Sequence, residues 1–181
     1  MTPSNAAQNA VPGRIPRPLP AAGFTLVELM VTVAVLGILA AVAVPAMTGL
    51  INSNRLSGTA GEMTASLQLA RSEAMRRGSR VRICGSTDGA SCGGDWSRWI
   101  VTGTDNVTGT TDVIRDSTGS SNVQVSGPAG GIVFRPSGLI DAQQQLTVCV
   151  PTGQPAENQR VITVMISGNI TTVRRNGGGG C

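Results

Sequence analysis

The chain has no histidine, no lysine and no tyrosine, and aromatic residues make up only 2% of its 181 positions. Without histidine it lacks the commonest general base, the imidazole that would activate a catalytic cysteine or serine, and the commonest transition-metal ligand. Phe24, Trp96, Trp99 and Phe134 are the whole aromatic set. That leaves little with which to stack single-stranded bases, and a core must come from Val, Ile, Leu and Ala. The glycine run at 177–180 is not followed by Lys-Ser/Thr, so it is no phosphate loop, and no carboxylates pair at a useful spacing. These absences point away from an enzyme and toward a structural protein that needs no cofactor and no metal.

Charge is sparse and of one basic kind, since all 14 basic residues are arginine. Arg14 and Arg17 precede the long apolar run. Setting aside residues 1–23 lowers the net charge from +4 to +2, so the high isoelectric point is weak evidence for a polyanion partner.

What the chain does have is a run of 21 residues, Phe24–Val44, with one charge, Glu28. About 20 apolar residues at ~1.5 Å rise cross the ~30 Å hydrocarbon core of a bilayer. A carboxylate in such a segment costs roughly 2.5–3.5 kcal/mol on insertion scales, so a plain anchor has no reason to keep it. A secretory signal places its small-residue cleavage site after the apolar run; here Gly23 stands before it. Arg14 and Arg17, ahead of the span, orient the remainder away from the cytoplasm.

Gly23-Phe24-Thr25-Leu26, then Glu28 and Leu29, closely resemble the type IV prepilin signal, with the family's helix-interrupting proline at Pro45. The resemblance implies cleavage between Gly23 and Phe24 by a prepilin peptidase and N-methylation of the new amino terminus at Phe24. It further implies storage in the inner membrane and recruitment into a filament. There Glu28 would neutralise the Phe24 amine of a neighbouring subunit. A buried carboxylate is costly unless paired, so such a pair rewards correct docking.

Beyond Pro45 the pattern becomes amphipathic. Leu56, Ala60, Met63, Leu67, Ala70 and Ala74 recur at spacings of 4, 3, 4, 3 and 4, one face of a helix. Arg76 and Arg77 suit its C-terminal end and Gly78 its C′ position. One helix over about 24–77 is expected, kinked or locally opened at Pro45. Short β-branched runs follow at 80–84, 98–102, 112–116, 122–126, 132–135, 146–150, 160–167 and 169–174, separated mostly by Gly, Asn, Asp or Pro. Ser167-Gly168-Asn169 signals a hairpin between the last two. The fold class is α+β: a long helical spine packed on an antiparallel β-sheet domain. The expected divisions are a cleaved leader (1–23), a transmembrane and filament-core helix (24–51) and a periplasmic globular domain (52–181).

That globular part resembles the FimT/GspH family of minor pilins and pseudopilins. The carrying residues are Ala70-Arg71-Ser72-Glu73-Ala74, Val81-Arg82-Ile83-Cys84, Asp88-Gly89, Cys92, Trp96, Trp99, Gly138 and Leu146-Thr147-Val148-Cys149. Some pilins of the FimT type bind DNA through a Gly-Arg-x-Arg motif near the C-terminus. This chain departs from it: after Gly168 it reads Asn169-Ile170-Thr171, and its nearest basic pair is Arg174-Arg175. Arg160, Arg174 and Arg175 are the candidate DNA contacts, set against ordinary solvated arginines at a strand end.

In an oxidising compartment four cysteines favour disulfides, and three pairings are possible. Cys84–Cys92 with Cys149–Cys181 is preferred, the first pinning a hairpin and the second tying down the glycine tail. A Cys₄ zinc site competes, though it lacks CxxC pairs. Trp96 and Trp99 suit core packing more than a ligand platform. Asp105, Asn106 and Asp112 suggest calcium only weakly, lacking EF-hand spacing. The expected function is a minor pilin or pseudopilin of a type II secretion pseudopilus or type IV pilus, partnered by other pilin subunits. The alternative is a pilus-borne DNA receptor for natural transformation.

Overall fold

A computed structural model describes residues 23–181; the side chains of Pro45 and Ala46 lie outside the description. Residues 1–22, with Arg14 and Arg17 of the expected leader, are also outside the described residues. The chain divides into two compact units, Met1–Ala40 and Ala41–Cys181.

Helix α1 spans Leu26–Arg77. Thr25 caps it: its Oγ1 accepts from the Glu28 amide at 3.2 Å, and its carbonyl accepts from the Leu29 amide at 3.1 Å. Thr25-x-x-Glu28 is therefore half of a capping box, with Glu28 at the N3 position. The helix continues through Pro45, so the proline does not end it. Its C-terminus stops where Gly78 takes φ of 60°, a conformation open to residues lacking Cβ. Asn106 Nδ2 donates to the carbonyls of Arg77 and Gly78 at 3.0 and 2.7 Å, satisfying acceptors that the helix end leaves free.

Eight strands follow: β1 (Val81–Gly85), β2 (Arg98–Thr104), β3 (Thr111–Thr118), β4 (Gln124–Ser126), β5 (Ile132–Phe134), β6 (Gln144–Cys149), β7 (Gln159–Val164) and β8 (Ile170–Arg175). They form two four-stranded sheets, ordered β3-β2-β1-β5 and β4-β6-β7-β8, with every pairing antiparallel. The spacing of the runs locates the strands but carries no sign of this division, because partner choice is made by long-range packing.

One core joins the second half of α1 to both sheets. Leu56, Met63, Leu67, Ala70 and Ala74 are fully buried and Ala60 nearly so. They meet Val81, Ile83 and Phe134 from one sheet and Leu146, Val148 and Ile162 from the other. Trp96 and Trp99 lie inside this core, and Trp99 Nε1 donates to Ser66 Oγ at 3.0 Å. The indoles therefore serve packing; the helix satisfies the polar edge of Trp99, whereas Trp96 Nε1 is buried with no hydrogen-bond partner among the described residues.

The turn of the last hairpin is tied to the helix by Arg71. Arg71 Nη1 donates to the Gly168 carbonyl at 3.0 Å and Nη2 to that of Ser167 at 3.3 Å. Gly168 has φ of 77°, which the turn requires and other residues resist.

Candidate functional site

The first candidate site is the start of α1. Phe24 is 78% exposed, and Leu26, Val27, Leu29 and Met30 are exposed around it. An 18-residue window in this helix has a mean hydropathy of 2.5, enough by length and composition to cross a membrane. The Glu28 amide is used in the cap, but its carboxylate makes no hydrogen bond or ion pair among the described residues. Gly23 and Phe24 are exposed and precede the helix, as access by a processing enzyme requires. Glu28 stands out in the sequence for its charge and Thr25 only as a motif residue, although the Thr-x-x-Glu spacing of a helix cap was there to be read.

The cysteines stand in two disulfides, Cys84–Cys92 and Cys149–Cys181, and no free cysteine is present among the described residues. The first closes the connection from β1 toward β2. Inside it, Asp88 accepts from the Ser91 hydroxyl, the amides of Ser91 and Ala90, and the Ser86 hydroxyl. These donors, the Ser91 hydroxyl foremost, hold the Asp88 carboxyl far below the usual carboxylate range. The second disulfide ties the tail to the end of β6. Fully buried Asn158 completes that tie: Nδ2 donates to the carbonyls of Val150 and Gly180, and Oδ1 accepts from the Gly177 amide. Nothing in the local sequence marks Asn158, since its partners lie 8, 22 and 19 residues away.

The acidic loop considered for calcium is occupied by the protein's own donors. Asp105 accepts from the amides of Val107 and Thr108, Asn106 caps α1, and Asp112 pairs with Arg77 at 2.7 Å. Arg77 also meets Glu73 at 2.9 Å, and Arg76 meets it at 2.6 Å. Hydrogen bonds from Arg76 and then Arg77 bring Glu73 down to about 2. Arg115 pairs with Glu62, Arg98 with Asp116, and Arg135 with Asp141. Arg76, Arg77, Arg98, Arg115 and Arg135 are thus neutralised within the globular unit.

The three arginines considered for DNA are separated by the sheet. Arg160 and Arg174 are directly opposed across β7 and β8, so they share one face, and Arg175 is on the other. Arg160 is only 5% exposed, whereas the Arg174 side chain is 68% exposed. Arg174 reaches Glu157 only at 3.8 Å, and Arg175 has no ion pair among the described residues. Two of the three are therefore open to a phosphate backbone and the third is recessed.

Two family models match this chain. Residues 59–169 match the family described as type II transport protein GspH, and residues 20–44 match the prokaryotic N-terminal methylation motif. Among solved structures, the type IV minor pilin FimU of Pseudomonas aeruginosa superposes with a TM-score of 0.53 at 21% identity, covering 67% of this chain and 90% of that one. The minor pseudopilin EpsH of the type 2 secretion system of Vibrio cholerae gives 0.51 at 17% identity, covering 66% and 97%. These likenesses establish the fold: a long N-terminal helix followed by antiparallel sheets. The type IV major alpha-pilin of Moraxella bovis is 46% identical over 43 residues, 24% of this chain. The chain spans 27% of the length of that relative and of fimbrial protein Q from the same organism.

Proposed function

This chain belongs to the GspH family, a minor pilin or pseudopilin of a type II secretion or type IV pilus system, and we propose that it serves a type II pseudopilus, supporting filament assembly and protein secretion. In this reading a prepilin peptidase cuts between Gly23 and Phe24, removing residues 1–23, and the Phe24 amine is methylated. Residues 24–51 hold the protein in the inner membrane as a single span until assembly, and residues 52–181 stand in the periplasm. Other pilin or pseudopilin subunits are the partners.

The match over residues 59–169 to the family described as type II transport protein GspH favours the secretion system, and the filament reading is carried by the Glu28 carboxylate, which has no partner among the described residues although it sits on a stretch of helix apolar nearly all round. In a bundle of such helices, an unpaired carboxylate disfavours any register that fails to bring it a cation. The amine at Phe24 of an adjoining subunit supplies that cation. Full-length Glu28→Ala is expected to remain in the membrane fraction and to be lost from sheared filaments. Filament incorporation equal to wild type would defeat the docking role.

The second reading, DNA uptake, has one observation in its favour: Arg174 and Arg175 are exposed together at the end of β8. Binding of duplex DNA by the full-length chain in detergent, weakened by salt and lost in an Arg174→Ala, Arg175→Ala double variant, would favour it. No binding at low salt would leave the secretion reading.

A further inference from the structure

The most unusual charge in the globular unit is Arg160. Only its Nη1 is engaged, donating to the main-chain carbonyls of Glu157 and Gln159 at 2.9 and 3.0 Å. Nε and Nη2 donate to nothing among the described residues, and no carboxylate forms an ion pair with this guanidinium. It is nonetheless 5% exposed. Arg174 stands directly opposite on the same face, and like charges in that relation repel. Burial first, and then Arg174, lower the affinity of Arg160 for its proton, and the Glu157 carboxylate, near but not bonded to it, offsets them only in part. A buried cation facing a second cation is a costly arrangement for a chain to retain unless an anion completes it.

The space beside these arginines is open and shaped. A groove of about 380 Å³ lies between α1 and the β7–β8 hairpin, lined by Ala60, Gly61, Thr64, Thr172, Arg160 and Arg174 among others. Thr64 and Thr172 bring their hydroxyls to 3.5 Å from each other on its wall. Nothing lies within 4 Å of where a Cβ on Gly61 would be, so a foreign main chain has room to approach the helix.

We propose that this groove receives an Asp or Glu side chain from another subunit of the filament, its carboxylate held by the free edge of Arg160 and by Arg174. A guanidinium offers two parallel donors that match a carboxylate, and both remain unused on Arg160. The depth of Arg160 favours a carboxylate on a flexible side chain. A phosphate fixed on the outside of a duplex suits exposed guanidinia, which here are Arg174 and Arg175. Thr64 gives its hydroxyl proton to the Ala60 carbonyl at 2.8 Å, which leaves the Thr172 hydroxyl on the groove wall to donate to one of the carboxylate's remaining lone pairs. The inference rests on the filament reading above and adds to it a specific contact distinct from that of Glu28.

The test is a photo-crosslinking amino acid placed at Gln68, an exposed rim residue, in the full-length chain expressed in cells that assemble its filaments. The expected product joins this chain to a filament subunit through a peptide that contains Asp or Glu. It should be lost in Arg160→Met and reduced in Arg174→Gln. Arg160→Met keeps the length and apolar stem while removing a buried charge, so its melting temperature should equal or exceed that of wild type. Arg174→Gln changes an exposed residue and controls for any misfolding. A swap then completes the argument: Arg160→Glu should lose the crosslink, and changing the mapped partner acid to Arg should restore it. A crosslink that survives Arg160→Met, maps to a peptide without acids, or forms to DNA overturns the proposal. If the chain enters filaments but gives no crosslink, only the groove contact fails. If it never enters filaments, the filament reading fails with it.

Discussion

Residues 26–44 and 56–74 belong to one helix, yet they obey different rules. In the first stretch Leu26, Leu36 and Leu39 are 74%, 63% and 60% exposed, and apolar residues surround the axis. In the second, Leu56 and Leu67 are fully buried, and polar residues such as Glu62 and Glu73 stand outside the stripe. Backbone hydrogen bonding is the same in both. The difference is in what removes the side chains from water: the second stretch has two sheets to cover it, and the first must find lipid or the helices of other subunits. The amphipathic part of such a helix takes its stability from the sheets of its own chain; its apolar part takes it from an outside partner.

Truncation of one leucine in each stretch gives the largest and cleanest contrast. Leu67→Ala removes a fully buried side chain and is expected to cost about 3 kcal/mol of unfolding free energy, the middle of the usual range for such cavities. Leu36→Ala, on the exposed stretch, should change unfolding of the same domain by no more than about 0.5 kcal/mol. Denaturant titration of the full-length chain in detergent, followed by the fluorescence of Trp96 and Trp99, measures both. A loss at Leu36 as large as that at Leu67 would break the contrast between the two stretches.

The same contrast explains what could be read from the sequence. The stripe from Leu56 to Ala74 was legible because helical periodicity is local, and each of its six positions is buried. The apolar run was legible because composition alone carries it, and the methylation motif over residues 20–44 because its residues are contiguous. All eight strands fall within a few residues of the β-branched runs, which end at Gly, Asn, Asp or Pro where strands cannot continue. The split into two sheets was not legible, because it depends on which strand finds which partner across up to 53 residues, as when Val81 pairs with Gly103 on one side and Phe134 on the other. Arg71 was visible as part of a family motif, but its role as the clamp on Gly168 appears only once the hairpin is brought to the helix. Asn158 and the recessed position of Arg160 share that character. Each is a polar group whose meaning is set by burial, and burial of an isolated polar residue has no period in the sequence.

Electrostatics at the end of the covered stretch sharpens the comparison on a smaller scale. Glu73 accepts from Arg76 and Arg77, and Arg77 reaches on to Asp112 at the start of β3. Folding lowers the Glu73 carboxyl from 4.5 to about 2. Between those values the unfolded chain binds the proton more readily than the folded one, so stability rises with pH through that window. The contribution is complete above about pH 4.5 and fades as the pH falls toward 2. Its size is modest, about 1 kcal/mol or less, because the Arg76 partner is 66% exposed and solvent screens it. Glu73→Gln should therefore be slightly less stable than wild type at pH 7, and the gap should narrow steadily as the two proteins are unfolded at pH 4, 3 and 2.5. A gap that stays constant across that range would mean the ion pairs at the helix end contribute nothing to folding. The covered stretch of α1 would then be held by its apolar stripe alone, as the uncovered one is held only by what surrounds it.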